Sequence, residues 1–259
     1  MSGALDGLIV ADFSRVLAGP YATMLLGDLG ATVIKVERPG TGDDTRAWAP
    51  PVDMNGDATY FLSVNRNKHS VALDLDDPID RQQAINLATR ADILIENFPS
   101  GSLAQRSLAY DDVASTNPSI IYCSISGFGS EADLPGYDLL VQAMGGLMDI
   151  TGEKEPTKVG VAIVDVLTGL HAATGILAAL HHRDRTGAGQ YLSVTLLGSL
   201  LSGLVNQSAA AAITGQSPQR SGNHHPSIAP YEPFPTADRL LIIAVGNDAQ
   251  FARLCETLG

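Results

Sequence analysis

The chain has 259 residues, 45% hydrophobic and 17% charged, with 28 Asp+Glu against 16 Lys+Arg and a formal net charge of −12. A chain of this length and apolar content buries most of its unfolded surface without disulfide or metal staples, and global disorder is excluded. The acidic balance argues against nucleic acid or an anionic membrane as partner, since both reward a basic surface. Two cysteines, Cys123 and Cys255, are too few for a disulfide framework and fit a reducing cytosol.

The segment Met1–Asp6 has neither a basic n-region nor a long apolar h-region, so no signal peptide is expected. The apolar stretches 166–180 and 196–213 are interrupted by His171, Asn206 and Gln207, and neither reads as a membrane span. The expectation is a cytoplasmic protein with no membrane partner.

In chain order, Leu8–Phe13 reads as a buried strand and Tyr21–Leu29 as a helix opened by Pro20 and closed at Gly30. Thr32–Val36 is a β-branched strand, Ser70–Leu73 a short one, and Pro78 starts a helix through Asp80–Arg90. Asp92–Ile95 and Ser119–Ser124 are strands, Asp138–Met148 a helix, 166–183 a helix, Gln190–Val194 a strand and 195–213 one long helix. Strands separated by helices of this length predict an α/β fold. The expected form is a doubly wound (Rossmann-like), mainly parallel sheet with helices on both faces. Gly215–Thr236 holds Pro218, Pro226, Pro230, Pro233 and Pro235, too many for a helix or a central strand. The expected division is therefore a large domain over 1–214, a connector over 215–236 and the start of a second small domain over 237–259. A strand at Leu240–Val245 and a helix from Asp248 cannot bury their own apolar faces, so the chain reads as truncated.

A dinucleotide site needs Gly-x-Gly-x-x-Gly in the first βα loop. The loop here, Ser14-Arg15-Val16-Leu17-Ala18-Gly19-Pro20, has one glycine. Glu37 stands where an acidic ribose ligand is expected, yet Glu37–Arg38 reads equally as a solvated strand end. The adjacent pairs His181–His182 and His224–His225 cannot each turn two rings toward one ion, and no catalytic metal is expected.

The segments Asp12–Pro20, Gly30–Gly40, Gly42–Arg46, Asn65–Lys68, Glu96–Phe98, Ser124–Gly129, Pro135–Asp138, Arg183–Gln190, Pro226–Tyr231 and Gly246–Asp248 resemble the family III CoA-transferases in order. That family includes formyl-CoA and carnitine-CoA transferases and is related to α-methylacyl-CoA racemases. The resemblance implies coenzyme A or an acyl-CoA as substrate and a carboxylic acid as second substrate, with no tightly bound cofactor. It also implies an interlocked homodimer, although a chain lacking its returning half is not expected to close such a ring.

By resemblance, Arg15, Leu17, Ala18, Arg38, Asn97, Phe98 and Arg106 lie along the CoA path. Because the net charge opposes an anionic ligand, local cations must compensate, and Arg46 and Lys68 are further candidates. Arg106 reads also as a surface charge and Phe98 as a core aromatic. Asp165 interrupts the apolar run Val161–Val166 at a helix start, where it reads as an N-cap and, by resemblance, as the nucleophile. With an ordinary pKa of ~3.9 it is expected to be ionised at neutral pH even after some upward shift. Tyr137 and Asp138 match a pair near the acyl group, and Asp138 reads also as a cap of the helix that follows it. Gly246-Asn247 resembles a glycine loop that shields intermediates, or is an ordinary strand-to-helix turn.

Two departures from the family pattern are Leu17, where some members carry a glutamine, and Pro99–Ser100, where many carry an arginine. Tyr137 also stands where the racemases have a histidine; a tyrosine is a poor base near neutrality, so transfer is favoured over racemisation. A non-catalytic CoA-ester-binding fragment is the reading from another class.

Overall fold

The computed structural model describes residues 3–129, 131–132 and 134–259. Six strands, β1 (Ile9–Asp12), β2 (Thr32–Glu37), β3 (Lys68–Ala72), β4 (Ile93–Glu96), β5 (Ile121–Ser126) and β6 (Gln190–Thr195), form one sheet in the order β3-β2-β1-β4-β5-β6. Every neighbouring pair is parallel. This is the doubly wound arrangement expected from the alternation of strands and helices. Its strand order reverses between β1 and β4, where such sheets open a crevice at their carboxyl ends.

The central strand β4 is apolar because both its faces are covered, and all four of its residues are buried; the edge strands β3 and β6 are more polar and partly exposed. On one face α3 (Pro78–Arg90) contributes Ala84 and Ala88 to a cluster with Ala11, Leu94, Tyr122 and Val113, the last from α4 (Tyr110–Thr116). Helix α3 starts where Asp77 accepts from Ile79 N and Asp80 N and Pro78 supplies a pre-set φ. The remaining long helices of this part are α1 (Ala18–Asp28) and α7 (Ile163–Thr186), which pack closely on each other. That approach is possible because Gly169 has no Cβ. One added there would lie 2.7 Å from the Ala18 carbonyl oxygen and 2.9 Å from the Tyr21 ring. Helix α7 has the length and apolarity of a membrane span, which the reading of 166–180 did not anticipate, but half of that stretch is buried inside the fold.

The chain divides into two compact units, residues up to 141 with 162–203, and 142–161 with 204–259. The boundary thus falls at Gly203–Leu204 and not at 214, and an internal segment joins the second unit. The expected helix over 195–213 is two helices, α8 (Leu196–Gly203) and α9 (Val205–Thr214), with Val205 in the left-handed region at φ +41°. The expected helix at Asp138–Met148 is likewise broken, into α5 (Asp138–Met144) and α6 (Leu147–Ile150), with Gly146 left-handed between them. A short helix α2 (Thr59–Val64) also precedes β3. In the second unit, β7 (Tyr231–Pro235) lies inside the proline-rich stretch and pairs antiparallel with β8 (Leu240–Ala244). A two-stranded ribbon has only edge strands, and an edge tolerates the missing N–H groups of Pro233 and Pro235. Helix α10 (Asp248–Leu258) ends the chain.

Candidate active site

The crevice at the switch point is real and large. A groove of about 1260 Å³ is lined by Arg15, Leu17 and Ala18 after β1, by Asn97 and Phe98 after β4, and by Tyr137 and Asp165. A second pocket, of about 330 Å³, is lined by Arg38, Arg106 and Glu37 and shares Arg15, Phe98 and Pro99 with the groove. Nine of the twelve residues singled out from the sequence line these two cavities; Asp138, Gly246 and Asn247 do not.

Asp165 is not the N-cap of α7; Ala162 is. Asp165 is the third residue of the helix, 9% exposed, and its carboxyl accepts no hydrogen bond among the described residues. The cap comes from a distance: the Asp138 carboxylate accepts from Val164 N at 2.8 Å and from Asp165 N at 3.3 Å. Asp138 therefore serves α7 and not only the helix it begins. Burial, and then the Asp138 charge, push the Asp165 pKa up to about 7. The expectation that most of the carboxyl stays ionised at neutral pH is corrected here, because burial and a like charge act on it and no cation among the described residues offsets the lost hydration.

Arg15, Arg38 and Arg106 converge on the smaller pocket. The Arg15 guanidinium lies 4.7 Å from the centre of the Phe98 ring, and burial and the neighbouring Arg38 lower its pKa. Arg38 pairs with Asp44. Arg106 reaches Asp76 at 2.6 Å and the Ser102 carbonyl at 2.9 Å, yet its Nε is buried with no partner among the described residues. An orphaned, positively charged donor beside a cavity is a place for an anionic acceptor.

Other expected ligand groups are committed elsewhere. The Asn97 side chain is spent on the Arg15 backbone, accepting from its N at 2.9 Å and donating to its O at 2.8 Å. Lys68 is buried, paired with Asp12 at 3.1 Å and donating to Pro20 O at 2.9 Å. Arg46 holds both oxygens of Glu37, at 2.7 and 2.8 Å. Glu37 is therefore a buried, paired carboxylate and not a solvated strand end; burial opposes its ionisation, but Arg46 and Ser70 hold its pKa near 2.

Gly246 and Asn247 lie in the second unit, where the Asn247 side chain caps α10 by accepting from Gln250 N at 2.9 Å and Gly246 N donates to Gln250 Oε1 at 2.7 Å. Two residues escaped the sequence reading. The Tyr60 phenol, pushed up to about 12 by burial and by the Asp165 and Asp138 charges, stands near both carboxylates. Glu96 is a buried carboxyl on the groove wall whose pKa burial raises. Tyr60 sits in the short helix α2, which no pattern in the polar stretch before β3 marks, and Glu96 ends an apolar strand as any carboxylate might.

A family profile described as CoA-transferase family III matches residues 5–259. The chain is 48% identical over 265 residues to a protein from Agrobacterium fabrum named succinate–glutarate CoA-transferase, covering 98% of this chain and 66% of that one. It is 47% identical over 259 residues to a Mus musculus protein named succinyl-CoA:glutarate CoA-transferase, covering 98% of this chain and 59% of the relative. The chain thus spans less than two thirds of the length of these curated relatives. A crystal structure of a CaiB/BaiF family protein from Brucella suis superposes with a TM-score of 0.90 at 45% identity, covering 100% of this chain and 70% of that one. With the switch-point groove, its guanidinium cluster and a match running from Leu5 to the last residue, the chain belongs to CoA-transferase family III.

Proposed function

We propose that the protein moves coenzyme A from an acyl-CoA thioester to a free carboxylic acid, with Asp165 as the nucleophile. The observation that carries this reading is the Asp165 carboxyl itself: buried, without a hydrogen-bond partner among the described residues, on the wall of a groove that adjoins three guanidiniums. In this reading Arg38, Arg106 and Arg15 hold the phosphates of CoA, Phe98 and the Leu17–Ala18 backbone line the path of its pantetheine arm, and Asn97 acts by fixing Arg15. The thioester then reaches Asp165.

The Asp165 carboxylate attacks the thioester carbonyl and expels CoA thiolate, leaving a mixed anhydride. The thiolate attacks the aspartyl carbonyl of that anhydride, releasing the donor acid and forming an aspartyl-CoA thioester. An acceptor carboxylate then attacks the thioester, and the expelled thiolate takes the acceptor's acyl group from the second anhydride, regenerating the Asp165 carboxylate. Covalent division of one hard exchange into easier steps is the gain of nucleophilic catalysis. Tyr137, on the groove wall, flanks the acyl group, and Asp138 acts by capping the helix that carries Asp165. The substrates are proposed to be dicarboxylic acids and their CoA esters, on the strength of the names of the two relatives above. A cytoplasmic enzyme with no tightly bound cofactor completes the proposal, the interlocked homodimer belonging to full-length members of the family.

The test is chemical trapping. Incubation with succinyl-CoA followed by hydroxylamine should leave a hydroxamate on the peptide that carries Asp165, and Asp165→Ala should abolish both the mass change and the exchange. Full exchange by Asp165→Ala overturns the mechanism.

A further inference from the structure

The segment from the end of β1 into the first turn of α1 is held by side chains from elsewhere at Ser14, Arg15, Val16 and Pro20. Lys35 Nζ donates to Ser14 O at 2.8 Å, Asn97 takes both backbone groups of Arg15, and Lys68 Nζ donates to Pro20 O. The Val16 N–H donates to both Asp43 carboxylate oxygens, at 3.3 and 3.2 Å. Asp43 also accepts from Thr45 N and Thr45 Oγ1 and pairs with Lys35 at 2.9 Å. The Lys35 and Asp43 side chains are 1% and 0% exposed, so neither reaches a ligand. Yet Val16 sits at φ +71°, a left-handed conformation that a β-branched residue adopts only when its surroundings enforce it. Leu17 and Ala18 follow directly and line the groove.

We infer that Asp43, neutralised by its buried pair with Lys35, is a positioning residue: its carboxylate holds the Val16 amide, keeps the loop in its strained conformation, and so places Leu17 and Ala18 along the path by which the thioester reaches Asp165. The inference rests on the function proposed above and deepens it. Lys35 and Asp43 act through the loop and touch no substrate. A misplacement of the reacting centre by an ångström costs on the order of a hundredfold in rate, whereas at the other cavity Arg38 and Arg106 lie outside the loop and Asn97 still holds the Arg15 backbone.

Two double variants separate positioning from bulk stability, because replacing a buried ion pair by apolar groups is often close to neutral. Lys35→Met/Asp43→Leu removes the acceptor for Val16 N–H; Lys35→Met/Asp43→Asn removes the same charges but keeps an oxygen acceptor. Both are compared with the unaltered protein under conditions where circular dichroism shows all three folded. The readouts are kcat for succinyl-CoA–glutarate exchange, Kd for coenzyme A by calorimetry, and hydrogen exchange of the peptide spanning 14–20. The Met/Leu variant is expected to lose about tenfold or more in kcat and to exchange its loop amides faster, with Kd changed by less than about threefold; the Met/Asn variant, which shares the loss of the Lys35 bond to Ser14 O but keeps an acceptor for Val16 N–H, is expected to lose markedly less of both. Unchanged kcat and loop exchange in the folded Met/Leu variant, or equal losses in both variants, overturn the inference. If Asp165→Ala retains exchange, the catalytic reading fails instead, and the loop-exchange comparison still tests the clamp.

Discussion

Asp138 and Asp165 share one helix end, and Asp138 holds it. Its carboxylate accepts the amides of Val164 and Asp165, so the positive end of α7 is already neutralised by a group other than Asp165. Asp165 is left with burial and a like charge, and both raise its pKa, to about 7.

In the proposed mechanism only the Asp165 anion attacks, so kcat/KM at low substrate should rise with pH and level off above about 7. Asp138→Asn keeps an oxygen for the two amides and removes the charge. Its pH–rate profile should bend at a lower pH than that of the unaltered protein. A bend that stays in place assigns the shift to burial alone.

The same shift is a stability statement. Asp165 keeps its proton to about pH 7 in the fold, against an ordinary 3.8. The neutral form costs nothing extra below about pH 4; the penalty of ionisation grows between there and 7 and is complete above it. About three pH units correspond to about 4 kcal/mol. Asp165→Asn should therefore gain stability over the unaltered protein at pH 8 and little at pH 4, measured by urea unfolding at both.

Lys68 looks in the sequence like a free cation for phosphate, but in the fold it is the partner of Asp12. Burial lowers its pKa to about 8 against the pull of Asp12; Asp12 is held near 2, where Lys68 and Lys35 outweigh the burial that would raise it. Lys68→Met strands a buried carboxylate and should cost about 3–5 kcal/mol in chemical denaturation. The Kd of coenzyme A for the remaining folded protein should change little. A large loss of affinity with unaltered stability would return Lys68 to the ligand site.

Arg106 is the converse case. Its Nε is a buried donor without a partner among the described residues, in the pocket shared with Arg15 and Arg38. Arg106→Ala should weaken coenzyme A binding by about 1.5–3 kcal/mol, a roughly 10- to 150-fold rise in Kd, since one charge-assisted bond is lost. The effect should shrink as salt is raised, because screening weakens the contact in the unaltered protein. Calorimetry at two ionic strengths measures both.

The alternation of β-branched runs with capped helices by itself determined the parallel, doubly wound sheet, because period and cap residues are local properties that each strand and helix carries in its own residues. The ordered string of motifs likewise determined the family, and with it the neighbourhood of Arg15, Arg38 and Asp165. Only the tertiary structure decided which charges are free. Whether Lys68, Arg46, Glu37 and Asn97 face a ligand or one another depends on which loops meet at the β1–β4 switch point, and partners that lie 56 residues apart, as Lys68 and Asp12 do, leave no local trace. The same holds for Asp165: its helix start was legible, but its raised pKa comes from burial and from Asp138, 27 residues earlier in the chain. Ionisation at a buried site is set by the solvent and charges that the fold removes or brings near, and these are absent from any linear pattern.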